Sequence, residues 1–187
     1  VWSRGLGDVY KRQDIDSHFG KGTVMRMGDK EIVDIPSIST GSVGLDIALG
    51  IGGIPRGRIT QLAGQESSGK TMLALSCIKS YLDENPNNTA LFIDAEYTYY
   101  PEWASSQGID VSRVMVIKTN DAKKIFEGLI GKVSVNKQTK KVSKKMKGIL
   151  DHIIEGTDPR FKDLGIIVLD SIAVLNTPLE MAADVGK

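Results

Sequence analysis

Apolar residues are grouped in short β-branched runs separated by longer stretches with helical spacing. Residues 58–63, 90–94, 114–118 and 165–170 are brief and apolar, as parallel strands buried on both faces are. Between them, residues 69–82 repeat Leu73, Cys77, Ile78 and Tyr81 at three- and four-residue intervals, and residues 121–132 form a second helix-compatible stretch. This alternation predicts an α/β fold with a mostly parallel central sheet flanked by helices. Cys77 falls on the core side of its helix, and nothing nearby in sequence supplies the cationic setting of a reactive thiol. No internal repeat is evident.

Composition narrows the class. At 187 residues and 41% hydrophobic, the chain can bury a core and is too apolar for a disordered tail. The longest apolar runs, such as 166–169, are far too short to span a bilayer, which predicts no membrane association. A single cysteine and two histidines, His18 and His152, offer neither an internal disulfide nor a zinc site, and a reducing, cytoplasmic compartment is the default. The chain has no initiator methionine and no secretory signal at its start. Residues 1–13, VWSRGLGDVYKRQ, read as translated adapter sequence, with a native N-terminal arm as the rival reading. The chain stops soon after its last predicted strand, so a fragment is expected.

The formal charge of +1 conceals two opposed parts. Residues 118–147 hold ten lysines against Asp121 and Glu127, a charge of +8, which leaves −7 for the rest. The centre of this stretch, KVSVNKQTKKVSKKMK, is polar and weakly periodic. It reads as an exposed loop or hairpin leading into a helix near 144–154. A solvated surface insertion and a nucleic-acid contact are both open readings of it.

One motif carries chemistry on its own. Gly64, Gln65, Glu66, Ser67, Ser68, Gly69, Lys70 and Thr71 fit G-x-x-x-x-G-K-[ST] in full. The motif follows the predicted strand 58–63 and opens the helix 69–82, the arrangement a phosphate-binding loop requires. Gly64 and Gly69 let the backbone approach phosphates without a Cβ in the way. Lys70 supplies a charge near the β- and γ-phosphates, and the Thr71 hydroxyl is a candidate Mg²⁺ ligand.

Such a site also needs an acid to hold magnesium and a group to orient the attacking water, both at carboxyl ends of neighbouring strands. The strand 166–170 ends in Asp170, and the strand 90–94 ends in Asp94 with Glu96 two residues on. Glu96 is the better candidate for orienting water, because it lies just past the strand end. Tyr97, Tyr99, Tyr100 and Trp103 then crowd four aromatics into seven residues. Their faces suit stacking on adenine or packing in a core, and composition leaves both open. Pro101 suits the first turn of a helix through Trp103.

The runs HFGKGTVMRMGD, ISTGSVGLDIALGIGGIPRGRITQLAGQESSGKT, LFIDAEYTYYPEWA and IIVLDSIAVLNTP, in this order, resemble the bacterial RecA recombinase family over nearly all of residues 18–178. The resemblance implies a P-loop NTPase core and a DNA-dependent ATPase that uses ATP with Mg²⁺. It implies a helical filament of copies on single-stranded DNA, pairing with duplex DNA, strand exchange, and stimulation of a LexA-type repressor's self-cleavage in the SOS response. By position, Gly64 to Thr71 would bind the triphosphate, with Lys70 and Glu96 as catalytic residues and Thr71 and Asp170 serving the metal. Trp103 stands where the family stacks a tyrosine on adenine, and Tyr100 where it usually has an aspartate. Residues 14–35 would be a remnant of the N-terminal polymerisation region. Residues 36–187 would be the ATPase core, truncated at the first DNA-binding loop, and the excess length at about 132–147 departs from the family. Other functions compatible with the motifs are a ring helicase, a clock-type ATPase, or a non-enzymatic DNA-binding module built on the lysine segment.

Overall fold

A computed structural model describes residues 17, 34–135 and 142–177. The chain divides into two units, Val1–Ile35 and Pro36–Lys187. The expected adapter segment, most of the 14–35 remnant and the start of a DNA loop near 179–187 lie outside the described residues. In chain order the elements are β1 (Ser37–Ile38), α1 (Val43–Leu49), β2 (Ile54–Pro55), α2 (Lys70–Glu84), β3 (Thr89–Asp94), α3 (Pro101–Ser106), β4 (Val114–Lys118), α4 (Ala122–Ile130), β5 (Lys132–Val135), β6 (Val142–Met146), α5 (Ile149–Glu155) and β7 (Leu164–Asp170).

The central sheet is parallel, in the order β4-β3-β7. β3 lies in the middle and its residues from Ala90 to Asp94 are buried, so its alternating side chains supply both faces. Ala90 and Phe92 pack with Leu75, Ile78, Tyr81 and Leu82 of α2. Leu91 and Ile93 join Ile125 of α4, with Leu129, Ile149 and Ile153 packed alongside. A one-residue slip of β3 would exchange these two sets, which fixes its register. Cys77 is buried on the α2 side, as its helical position predicts, and desolvation raises its thiol pKa to about 11.

The C-terminal carbonyls of α2 are met by Arg113. Its Nη1 donates to Leu82 O at 2.9 Å and to Asn85 O at 3.1 Å. Ahead of the sheet, Asp46 of α1 accepts from Thr40 N at 2.9 Å, from Thr40 Oγ1 at 2.6 Å and from Ser39 Oγ at 2.6 Å. These bonds hold the Asp46 carboxyl below its ordinary pKa, the Ser39 hydroxyl contributing most. The Ser-Thr-Gly-Ser stretch before α1 thus closes on that helix.

The predicted strand 58–63 does not form. It has no strand partner among the described residues, and Ile59 is fully exposed. Ile59 and Leu62 are its only large apolar residues, too little burial to dock a strand on β7 without a further neighbour on its other side. The predicted helices form with shifted ends, 69–82 appearing as Lys70–Glu84 and 121–132 as Ala122–Ile130.

The lysine-rich segment contains a hairpin, in which β5 pairs antiparallel with β6. The helix after it starts at Ile149, later than the predicted 144, because β6 continues through Met146. Gly148 closes the hairpin root: a Cβ there would overlap backbone atoms of Leu129, Ile130 and Gly131. Only a glycine lets the two chain segments cross so closely at this point. Among the described residues no helix is long and apolar enough to cross a membrane.

Candidate nucleotide-binding site

The glycine-rich loop curls as its sequence requires. Ser67 and Gly69 both adopt positive φ, 59° and 90°, and Gly69 leads directly into α2. Alternating left-handed residues turn successive N–H groups to one side, the arrangement that forms an anion nest. The first N–H groups of α2 have no intrahelical acceptor, and no side chain caps them. A Cβ on Gly64 would lie 2.8 Å from the Ser68 hydroxyl, which would have to turn aside to admit it. Lys70 folds over the loop, donating to Gly64 O at 3.1 Å and Gln65 O at 2.7 Å. Its ammonium therefore sits above the cradle that the backbone makes. Glu66 and the loop serines are exposed.

The opposing wall is made by strand ends. Asp94 of β3 stands in register with Lys118 of β4 and with Asp170 of β7, so all three strands end at one level. The Thr71 hydroxyl donates to Asp170 Oδ2 at 2.6 Å. Two residues 99 positions apart in sequence are thereby joined at the mouth of the loop. Beside them, the Ser171 hydroxyl donates to Glu96 Oε1. The predicted phosphate loop, metal acid and water-orienting acid thus share one edge of the sheet.

Asp94 does different work from Glu96. Its side chain is fully buried and accepts from Thr98 N at 2.9 Å and Tyr99 N at 3.0 Å. Lys118 Nζ is 3.9 Å from the same carboxylate and donates to Tyr99 O at 3.2 Å. Asp94 therefore ties down the turn that presents Glu96, while Glu96 remains exposed. In the sequence Asp94 stands beside Glu96 as a strand-end acid without this role, and Lys118 only as one lysine of the basic stretch. An acid ending a buried strand, four and five residues before backbone N–H groups it can bind, is the signal that points to this role.

The aromatic cluster divides. Tyr99 is buried against Phe92, with ring centroids 5.0 Å apart, and belongs to the core. Tyr100 and Trp103 are 64% and 40% exposed, which leaves their faces open for a planar ligand. Tyr100 is the N-cap of α3 and Pro101 its first residue, as the sequence predicts.

Magnesium is commonly held by one or two protein oxygens together with phosphate oxygens and water. The joined Thr71 hydroxyl and Asp170 carboxylate fit that donor set. Among the described residues no cluster of three or more acidic, histidine or cysteine side chains suits a metal held by protein alone.

A glycine-rich loop opening a helix, set against parallel strands two of which end in acids, is the arrangement of a P-loop fold of the α/β class. The sequence model of the RecA N-terminal domain family matches residues 10–138, more than half of the chain. Protein RecA of Teredinibacter turnerae is 37% identical over 174 residues, covering 93% of this chain and 43% of that protein. Protein RecA of Cytophaga hutchinsonii is 36% identical over 172 residues, covering 92% of this chain and 41% of that protein. The chain belongs to the RecA family, and it spans about two fifths of the length of these relatives.

Proposed function

We propose that the chain is the ATP-binding part of a DNA-dependent ATPase that pairs and exchanges homologous DNA strands in recombinational repair. The observation that carries this reading is the 2.6 Å bond between Thr71 and Asp170, beside Glu96. It joins the phosphate loop to the strand-end acids in a chain of this family.

In this reading Gly64 to Thr71 hold the triphosphate through backbone N–H groups, and Lys70 exchanges its loop carbonyls for phosphate oxygens. Tyr100 and Trp103 take the base between open faces. Thr71 and Asp170 would hold Mg²⁺, which would supply neutralising charge to the phosphates. Glu96 accepts the proton of the attacking water and fixes its direction, and the Ser171 hydroxyl fixes Glu96. The stabilisation is mostly electrostatic, from groups already in position before reaction.

A filament of copies on single-stranded DNA accords with the sheet, whose β4 edge has no strand partner among the described residues. Next to it a cavity of about 370 Å³ is lined by Ile93, Ile117, Ile125, Leu129 and Ile149. The 14–35 segment of a second copy is the occupant this reading assigns to it. Duplex DNA and, in the damage response, a LexA-type repressor complete the partners, and the cytoplasm is the compartment. A ring helicase or clock-type ATPase shares the loop but does not exchange strands.

The test is negative-stain microscopy and co-sedimentation with long single-stranded DNA and a slowly hydrolysed ATP analogue, using the full reading frame that contains this chain. Nucleotide-dependent helical filaments, followed by exchange of homologous strands, are expected. Closed rings without strand exchange would contradict the proposal.

A further inference from the structure

The phosphate loop holds a triphosphate whatever base is attached to it, so selectivity for the base has to come from other residues at the same edge of the sheet. Tyr97, Tyr100 and Trp103 are three of the four exposed aromatic side chains among the described residues, the fourth being Phe126. Apolar side chains exposed singly are ordinary, but three aromatics within seven residues beside a nucleotide loop form a stacking surface. Their place follows from the strand ends. Asp94 and Asp170 are register partners on adjacent strands, about 4.8 Å apart in the hydrogen-bonding direction. Asp170 accepts from Thr71 of the loop, and Asp94 accepts from Tyr99 N, one residue before Tyr100. Tyr100 is therefore anchored beside the loop, and α3 carries Trp103 on from it.

Tyr100 and Trp103 are three residues apart at the first turn of α3, so they share one side of it. Glu102 lies one residue from Trp103 and two from Tyr100, spacings that do not face each other on a helix. The other carboxylate and the amide of residues 95–107 are used elsewhere. Glu96 is held by the Ser171 hydroxyl, and Gln107 Nε2 donates to Ser106 Oγ at 3.3 Å. The side shared by Tyr100 and Trp103 thus offers a base two ring faces and one phenol hydroxyl.

We propose that this pair makes the site selective for a purine rather than for adenine, so that guanosine triphosphate is bound about as well as ATP. Such selectivity rests on the triphosphate reading of Gly64 to Thr71 and adds the class of base that the site takes. Every base has a π-face, so stacking tolerates the exchange of one purine for another. Adenine carries a donor amino group at position 6, and guanine carries an acceptor oxygen there. A phenol hydroxyl both donates and accepts, and it meets either group by turning its proton. An ionised carboxylate in its place could only accept, and would favour the amino group. Strong rejection of an analogue requires a polar group that the analogue leaves unpaired, and the Tyr100 hydroxyl is left unpaired by neither purine.

The test is competition, in the presence of Mg²⁺, of ATP, GTP or inorganic triphosphate against an ATP analogue labelled on its ribose and bound to the chain, followed by fluorescence anisotropy. ATP and GTP should displace the analogue with constants within about fivefold of each other, and triphosphate, which lacks a base, should be weaker than either by at least about fivefold. Trp103→Ala should weaken ATP and GTP alike by at least about fivefold, and Trp103→Phe should restore both. Tyr100→Asp should open a gap of at least about tenfold in favour of ATP. A larger than fivefold preference for either purine in the unaltered chain would overturn the proposal, as would triphosphate bound as tightly as ATP, and neither result depends on a variant folding. An analogue that does not bind, or binds equally to Lys70→Ala, would overturn the triphosphate site and this proposal together. A purine preference in a chain whose binding falls in Lys70→Ala would overturn this proposal alone.

Discussion

Replacing Asp94 by alanine removes two backbone hydrogen bonds at once from the turn that carries Glu96. Bonds to a charged acceptor contribute about 1.5–3 kcal/mol each. The two partners are not equivalent, because Thr98 is exposed and Tyr99 is buried. Water can replace the carboxylate at Thr98 N and cannot reach Tyr99 N, which is left unsatisfied at a cost of about 1–3 kcal/mol. With a small cavity added, a loss of about 2–4 kcal/mol is expected for Asp94→Ala. Asp94→Asn keeps one acceptor and turns an NH₂ towards the other N–H, so it should lose about half as much. Urea unfolding monitored by circular dichroism measures both, and the part of the near-ultraviolet signal that is lost in a Trp103→Phe background reports on the turn and α3. Binding of a fluorescent ATP analogue should weaken in step with that local signal. A loss below about 0.5 kcal/mol for Asp94→Ala, with Trp103 undisturbed, would refute the role given to this carboxylate.

Other consequences are as specific. Gly148→Ala should destabilise the fold by about 1–3 kcal/mol through overlap with the 129–131 backbone, whereas Gly156→Ala, at φ 62° with open space around it, should cost about 1 kcal/mol; chemical denaturation separates them. The Cys77 thiol, raised to about 11 by burial, should react with a thiol reagent far more slowly than free cysteine at pH 8, and a free-thiol rate there would contradict its packing. Asp46, Asp110, Asp121 and Asp158 all have carboxyls held below the ordinary 3.8, Asp158 at about 2 by Arg160. Depressed values mean that their stabilisation is complete above the ordinary pKa and is lost as pH falls through the lowered ones. Thermal melts should therefore be flat in these terms above about pH 5 and decline below pH 4.

The parallel sheet was legible because β3, β4 and β7 are short apolar runs with few polar positions to confuse the pattern, although only β3, buried from Ala90 to Asp94, is covered on both faces. The loop from Gly64 to Thr71 was legible because its chemistry demands glycines at fixed places. Residues 58–63 misled because their composition suits a strand, while strand formation depends on a neighbour that local sequence does not specify. The division of the aromatics was also hidden. Tyr99 is buried and Tyr100 exposed although they are neighbours, and the Asp94 bond to Tyr99 N is a contact between strand end and turn that periodicity does not encode. For the same reason Asp94 and Glu96, two residues apart, look alike in sequence and have opposite surroundings in the fold. The hairpin was foreseen as one of two options, and its root at Gly148 emerged only from the crossing of two backbone segments.

The central claim is that the joined loop, Thr71 and Asp170 form a magnesium-dependent triphosphate site. Titration of a fluorescent ATP analogue into the chain, with and without Mg²⁺, tests it most directly. Binding that needs Mg²⁺, falls at least tenfold in Lys70→Ala and loses its Mg²⁺ dependence in Asp170→Asn is the predicted result. Binding that is indifferent to Mg²⁺ and unchanged in Lys70→Ala would contradict the account.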